Sequence, residues 1–229
     1  MSESAGKKSS VTRRELLGAA GLGLVALRSH ASDPAERILV PAKQNASEME
    51  RFVQDCIAAN EESDPQAAVK EVLARGVREP EAMLKAVGEP TEAGLKVFHR
   101  SESLTIFAAA WTPQMNLMPH NHLMWAAIGI YTGREDNILW RRSDGDVEAH
   151  GVRCLFAGDV ATLPEDAIHS VTNPLLQFTG GVHIYGGDFF ATERSQWDPA
   201  TLDEGPSNGE SIRAMFARAN ERMKRMGER

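Results

Sequence analysis

Gly158-Asp159-Val160-Ala161-Thr162-Leu163-Pro164-Glu165-Asp166-Ala167-Ile168-His169-Ser170-Val171-Thr172-Asn173 is the stretch whose reading decides the fold. Gly158-Asp159 is a turn, Val160–Leu163 a short β-type run, Pro164 a break, and Ser170–Thr172 a second run closed by Asn173-Pro174. His169 therefore stands at a junction between a turn and a strand. Outward from it, Leu104–Trp111, Met124–Thr132, Ile138–Arg142, Val147–Leu155 and Phe178–Tyr185 are further short runs, separated by Thr132-Gly133, Ser143-Asp144-Gly145-Asp146 and Ala157-Gly158-Asp159. Many short strands at close spacing predict a sandwich or barrel.

Helical patterns flank this region. Ser47-x-x-Glu50 is a capping box, followed by Met49, Phe52, Val53, Cys56 and Ile57 at helical spacing, which makes Cys56 a core residue. Asp64 and Pro65 open a second helix with Ala68, Val69, Val72 and Leu73 on one face and Gly76 as its stop. A third runs from Pro80 to Val87, and Ile212, Met215, Phe216, Ala219 and Met223 form the stripe of a last one. Cys154, within a strand, reads as a small buried hydrophobe.

Residues 1–31 stand apart. Lys7 and Lys8 precede Thr12-Arg13-Arg14-Glu15-Leu16-Leu17, which resembles a twin-arginine motif; a mild apolar run, Leu16–Leu27, follows, and then Ser29-His30-Ala31, suited to cleavage. The run is too short to span a bilayer, so the expectation is export to the periplasm without stable membrane insertion once the signal is removed, with an N-terminal helix retained in the cytoplasm as the alternative. The organisation read from sequence is thus a signal at 1–31, a helical region at 32–95, a barrel at 96–190 and a C-terminal loop and helix at 191–229.

The 229 residues carry a formal charge of −7, and the 198 that follow residue 31 carry 20 basic and 30 acidic side chains, a charge of −10. Such a balance argues against nucleic-acid binding, which needs a concentrated basic face. With 42% hydrophobic and 25% charged residues the composition is that of a globular protein with a sizeable core. Two cysteines, Cys56 and Cys154, cannot make a disulfide framework or a four-cysteine zinc site.

His120-Asn121-His122 lies just before a strand, and side chains two apart in extended structure share a face. Together with Gly133 and with Gly158-x5-Pro164-x-Asp166-x2-His169-x3-Asn173, this resembles the two motifs of the cupins, over roughly residues 98–190, with Asp166 where the family usually has glycine. The resemblance implies a double-stranded β-helix, a jelly-roll barrel mainly of β structure, with His120, His122 and His169 as metal ligands. The glutamate that most cupins place four or five residues after the second histidine is replaced by Ala126 and Ala127. Three neutral imidazoles leave an ion its full positive charge, which favours an anionic donor such as a thiolate.

Gly181-Val182-His183-Ile184-Tyr185 resembles the Ser-x-His-x-Tyr segment of cysteine and mercaptopropionate dioxygenases, with glycine in place of the serine. That resemblance implies Fe(2+) as cofactor, a small thiol and dioxygen as partners and a sulfinic acid as product, with Tyr185 over the metal and His183 orienting its hydroxyl. Arg100 is the expected partner of a substrate carboxylate, with Arg141 or Arg142 as alternatives, and Trp125 is expected to shape the pocket or the core. Two other readings are compatible with the motifs: a cupin isomerase, lyase or carbon-cleaving dioxygenase, and an exported cupin that binds a small ligand without turnover. The sequence leaves the oligomeric state open.

Overall fold

The computed structural model describes residues 47–207 and 209–227; the signal expected at 1–31 lies outside the described residues. Three helices come first: α1 (Glu48–Ala59), α2 (Pro65–Val77) and α3 (Pro80–Val87). The capping box closes as expected, with the Ser47 hydroxyl accepting from Glu50 N at 3.2 Å and the Glu50 carboxylate accepting from Ser47 N at 2.6 Å. Asp64 caps α2 by accepting from Ala67 N at 3.1 Å. Gly76 does not stop α2, which continues through Val77; a Cβ at Gly76 would come within 2.9 Å of Phe52 and Met83, so the residue is small for close packing of α1 and α3 rather than for chain reversal.

Eleven strands follow among the described residues: β1 (Gly94–Arg100), β2 (Thr105–Trp111), β3 (Asn116–Asn121), β4 (Ala126–Thr132), β5 (Arg134–Ser143), β6 (Asp146–Phe156), β7 (Val160–Leu163), β8 (Ile168–Thr172), β9 (Thr179–Tyr185), β10 (Ser195–Trp197) and β11 (Glu204–Pro206). A last helix, α4 (Gly209–Gly227), ends the described chain. One antiparallel sheet has the order β1-β2-β9-β4-β7 and the other β11-β10-β3-β8-β5-β6. Two such sheets interleaved from one chain form a double-stranded β-helix, the fold of the cupins.

Alternation along the first sheet separates two cores. Ile106, Ala108, Ala127, Tyr131, Val182 and Ile184 face the N-terminal helices, where Phe52, Cys56, Val69 and Leu73 meet them. Phe107, Ala109, Trp111, Ala126, Ile128, Ile130 and Tyr185 face the barrel interior. Both faces are covered, so β9 is buried at every position. Full burial of a side chain such as Ile128 or Phe107 is worth about 1.5–3 kcal/mol, which lets the interior carry polar groups and still fold.

The His-x-His pair precedes β4 as expected, and it also straddles the end of β3, with His120 inside that strand and His122 just beyond it. That strand contains Pro119, which gives no ladder hydrogen bond, and its pairing with β8 slips between Leu117 and His120. Cys154 is exposed, not buried, because β6 is an edge strand and turns Val152, Cys154 and Phe156 outward. Cys56 is fully buried, and burial pushes its thiol up to about 12. No helix among the described residues is long and apolar enough to cross a membrane.

Candidate metal centre

His120 and His169 are direct partners across the β3–β8 ladder, and His122 follows two residues beyond His120. One ligand nitrogen from each of the three lies within 4.8 Å of the others, and all three side chains are buried. His169 Nε2 stands 3.2 Å from His122 Nε2. The opposite ring nitrogens decide which atoms face the centre. His120 Nδ1 donates to the Met118 carbonyl at 3.0 Å, and His169 Nδ1 to Asn137 Oδ1 at 2.6 Å. With hydrogen on Nδ1, both rings turn an unprotonated Nε2 to the common point. Burial holds His120 down to about 4 and drives His122 and His169 well below the ordinary histidine value, so all three are neutral at neutral pH. Converging neutral imidazoles with lone pairs and no cation of their own fit a divalent transition metal. No carboxylate joins this cluster among the described residues.

A buried polar chain starts at the cluster. Asn137, whose Oδ1 holds His169, donates from Nδ2 to Glu135 Oε1 at 3.0 Å. Glu135 Oε2 accepts from Trp111 Nε1 at 2.8 Å and lies 3.3 Å from His183 Nε2. The Tyr185 hydroxyl reaches His183 Nδ1 at 3.4 Å, and the Tyr185 ring meets His122 edge-on with centroids 4.8 Å apart. Burial alone would push the Glu135 carboxyl up, but His183, Asn137 and Trp111 bring it below its ordinary value. It is an anion with no exposed surface. Burial raises the Tyr185 hydroxyl well above its ordinary range, so at neutral pH it keeps its proton.

The absent serine of the His183–Tyr185 segment is explained by the same contacts. A Cβ on Gly181 would sit 2.9 Å from Ile130 Cδ1 and 3.2 Å from His183 Nε2. Glycine at 181 leaves that side of the imidazole open, and Glu135 approaches it from β5 instead. Glu135 and Asn137 are not evident from the sequence because the apolar run begins at Ile138, which leaves both outside the expected strand, whereas β5 starts at Arg134. The signal was their period of two with Leu139, the pattern of a strand that presents polar groups inward.

A cavity of about 400 Å³ opens on the cluster, with His120, His169, His183, Tyr185 and Arg194 on its wall. Arg194 was also missed. Its guanidinium stands 3.7 Å over the Phe189 ring, Nη1 is buried without a hydrogen-bond partner, and burial lowers its pKa. A buried guanidinium nitrogen without a hydrogen-bond partner beside the centre has a charged donor to offer an anion. Its signal in the sequence was weak, a lone arginine in a polar loop beyond the last long strand.

Arg100 lies elsewhere. It makes a two-pronged ion pair with Asp188, at 2.8 and 3.0 Å, with half of its side chain exposed, and it is not on the cavity wall. The alternatives are equally engaged: Arg141 with Glu148, and Arg142 with Glu204 at 2.7 and 2.9 Å. Trp125 packs with the helix-side core, against Gly186, and likewise does not line the cavity. Asn173 serves the fold, donating to the carbonyls of Trp111, Thr112 and Gln177.

No family model matches the chain, and no curated protein matches it. Solved structures that it resembles include double-stranded β-helix and cupin proteins. A protein with a double-stranded β-helix domain from Klebsiella pneumoniae is 14% identical over 55% of this chain and 94% of that one, with a TM-score of 0.36. An RmlC-like cupin family protein from Methanocaldococcus jannaschii is 10% identical over 44% and 85%, with a TM-score of 0.38. A Cupin 2 conserved barrel domain protein from Salinispora arenicola is 19% identical over 51% and 85%, with a TM-score of 0.33. Likeness at this level says nothing about the reaction. The strand order defines a double-stranded β-helix, and the three imidazoles within it have the makings of a metal site.

Proposed function

We propose that this protein is an iron-dependent thiol dioxygenase, converting a thiol and dioxygen to a sulfinic acid with both oxygen atoms on sulfur. The observation that carries the reading is the cluster of His120, His122 and His169, free of carboxylate, with the His183–Tyr185 pair against it. Fe(2+) held by the three Nε2 atoms would supply a site where a thiolate and dioxygen meet. Arg194 takes the carboxylate of the substrate and fixes its approach. The Tyr185 hydroxyl, whose proton goes to His183 Nδ1, presents its oxygen as a hydrogen-bond acceptor at the reacting face, and His183 sets that direction. Glu135 holds His183 from behind and, through Asn137, also holds His169. Phe107, stacked on His183 and Tyr185 at 5.7 and 5.3 Å between centroids, keeps both rings in plane and excludes water.

Anaerobic loading with Fe(2+), followed by oxygen uptake with a panel of thiols, tests this. Uptake matched by sulfinate is expected. An iron-replete sample with no thiol-dependent uptake contradicts it, and turnover of oxygen-ligand substrates with zinc or manganese would replace it with a different cupin chemistry. The Arg13-Arg14 motif supports export as part of the same reading, so that the thiol is met outside the cytoplasm; failure of residues 1–31 to export a folded reporter would remove that part alone.

A further inference from the structure

We infer that the substrate is a mercapto acid with a bulky apolar substituent, not a small polar thiol such as cysteine; this rests on the thiol reading above. The cavity measures about 400 Å³. At roughly 30 Å³ per water-sized group, a mercapto acid of about six heavy atoms takes less than about 200 Å³. More than half of the space would remain, and its walls decide what belongs there. Close to the imidazoles the wall is polar, with His183, Tyr185 and the Nη1 of Arg194 that lacks a partner. The rest of it is largely apolar, made by Val97, Leu117, Val171, Phe190, Ile212 and Phe216, with the exposed Arg213 of α4 as the second cation of the lining.

The helix α4 supplies two of these apolar residues, and Phe216 is buried with its ring stacked on Trp111 at 5.7 Å. Water in such a space would have few polar partners, and an apolar group displaces it favourably. No amino group is provided for: the free charge at the inner wall is the arginine cation, and Glu135 is enclosed by Trp111, Asn137 and His183. Thiol and carboxylate must both lie at the inner end, since Arg194 shares the cavity wall with His120, His169 and Tyr185 and stacks on Phe189, whose ring lies 6.0 Å from that of His122 and 4.4 Å from that of Tyr185. The apolar body then branches from the carbons between them and points toward α4.

The test compares 3-mercaptopropionate with 2-benzyl-3-mercaptopropionate as substrates of the iron-loaded full chain, by oxygen uptake and sulfinate formation. In parallel, calorimetry measures binding of propionate and 3-phenylpropionate, which have no thiol, to the metal-free protein. A kcat/KM at least tenfold higher for the benzyl compound, and a Kd at least tenfold lower for phenylpropionate, are expected. Equal or better turnover of the small thiol overturns the inference and leaves the dioxygenase reading standing. Absence of turnover with either thiol overturns the dioxygenase reading, and the calorimetric comparison then judges the cavity by itself: no preference for the aromatic acid overturns the inference.

Discussion

Glu135 Oε2 lies 3.3 Å from His183 Nε2, both side chains buried, on strands of different sheets. The contact is too poorly aligned to satisfy Nε2 as a hydrogen bond, yet its electrostatics are one-sided. A carboxylate beside Nε2 favours hydrogen on that nitrogen and leaves Nδ1 as an acceptor. The Tyr185 hydroxyl, 3.4 Å from Nδ1, then donates to His183 and turns its oxygen lone pairs toward the cavity. The arrangement has the logic of a carboxylate, an imidazole and a hydroxyl in series, in which the buried anion fixes the tautomer of the middle group.

Glu135→Gln removes the charge and keeps the volume. One amide face must then present N–H to Trp111 Nε1 or Asn137 Nδ2, both of which donate to the carboxylate. The expected result is a kcat about 10- to 100-fold lower with iron content unchanged and KM little altered. An effect on iron content alone, with turnover per iron as in the parent, would show that Glu135 serves the metal and not the His183–Tyr185 pair.

Asn137→Ala separates the two arms. Without Oδ1, His169 Nδ1 loses its acceptor and the ring its fixed tautomer. Affinity for Fe(2+) should fall about 10- to 100-fold, measured by competition with a chelator. Replacing His169 or His120 by Ala should abolish stoichiometric iron, with the circular dichroism of the barrel retained, since Ile128, Ile130 and Leu163 hold the interior. A His120→Ala protein that binds iron stoichiometrically would remove it from the ligand set.

The metal-free protein should be acid-labile. Folding lowers His120 from 6.5 to about 4, and His122 and His169 move the same way. Between those pH values the unfolded chain binds more protons than the folded one, so stability is full above about 6.5 and is lost as pH falls toward 4. His120 alone accounts for about 3 kcal/mol of this, read as a falling Tm. Bound metal keeps the imidazoles unprotonated and should move the loss to lower pH. A Tm for metal-free protein that is flat from pH 7 to pH 4.5 would contradict the burial of neutral imidazoles.

The helices and the His120–His122 pair were legible in the sequence for a common reason, spacing within one segment, whereas His169, on β8, joined them only through its likeness to a family motif. Ser47 with Glu50, Asp64 with Pro65, and His120 with His122 are local patterns whose geometry needs nothing from the rest of the chain. What spacing could not show was partnership between distant segments. Glu135 meets His183 only because β5 and β9 face each other across the interior, and a carboxylate in a charged run reads as surface until the fold encloses it. Arg100 illustrates the reverse. It stands near the first strand, where a carboxylate-binding arginine was expected, but Asp188 holds it at the surface.

Two arginines therefore make opposite predictions. Arg194 lies on the cavity wall with Nη1 unpartnered, so Arg194→Gln should raise KM for a mercapto acid about tenfold or more, with less change in kcat. A charge-assisted hydrogen bond to a carboxylate is worth about 1.5–3 kcal/mol, consistent with that loss. A thiol without a carboxylate should show little difference between the parent and the variant, which separates recognition of the anion from damage to the barrel. Arg194→Lys should recover only part of the affinity, because an ammonium lacks the planar fork and its stacking on Phe189. Arg100→Ala loses an ion pair that is half exposed, worth about 0–1 kcal/mol, and should leave KM within about twofold. A large rise in KM on changing Arg100, with none on changing Arg194, would reassign the carboxylate to the outer pair and require the substrate to enter from the Asp188 side.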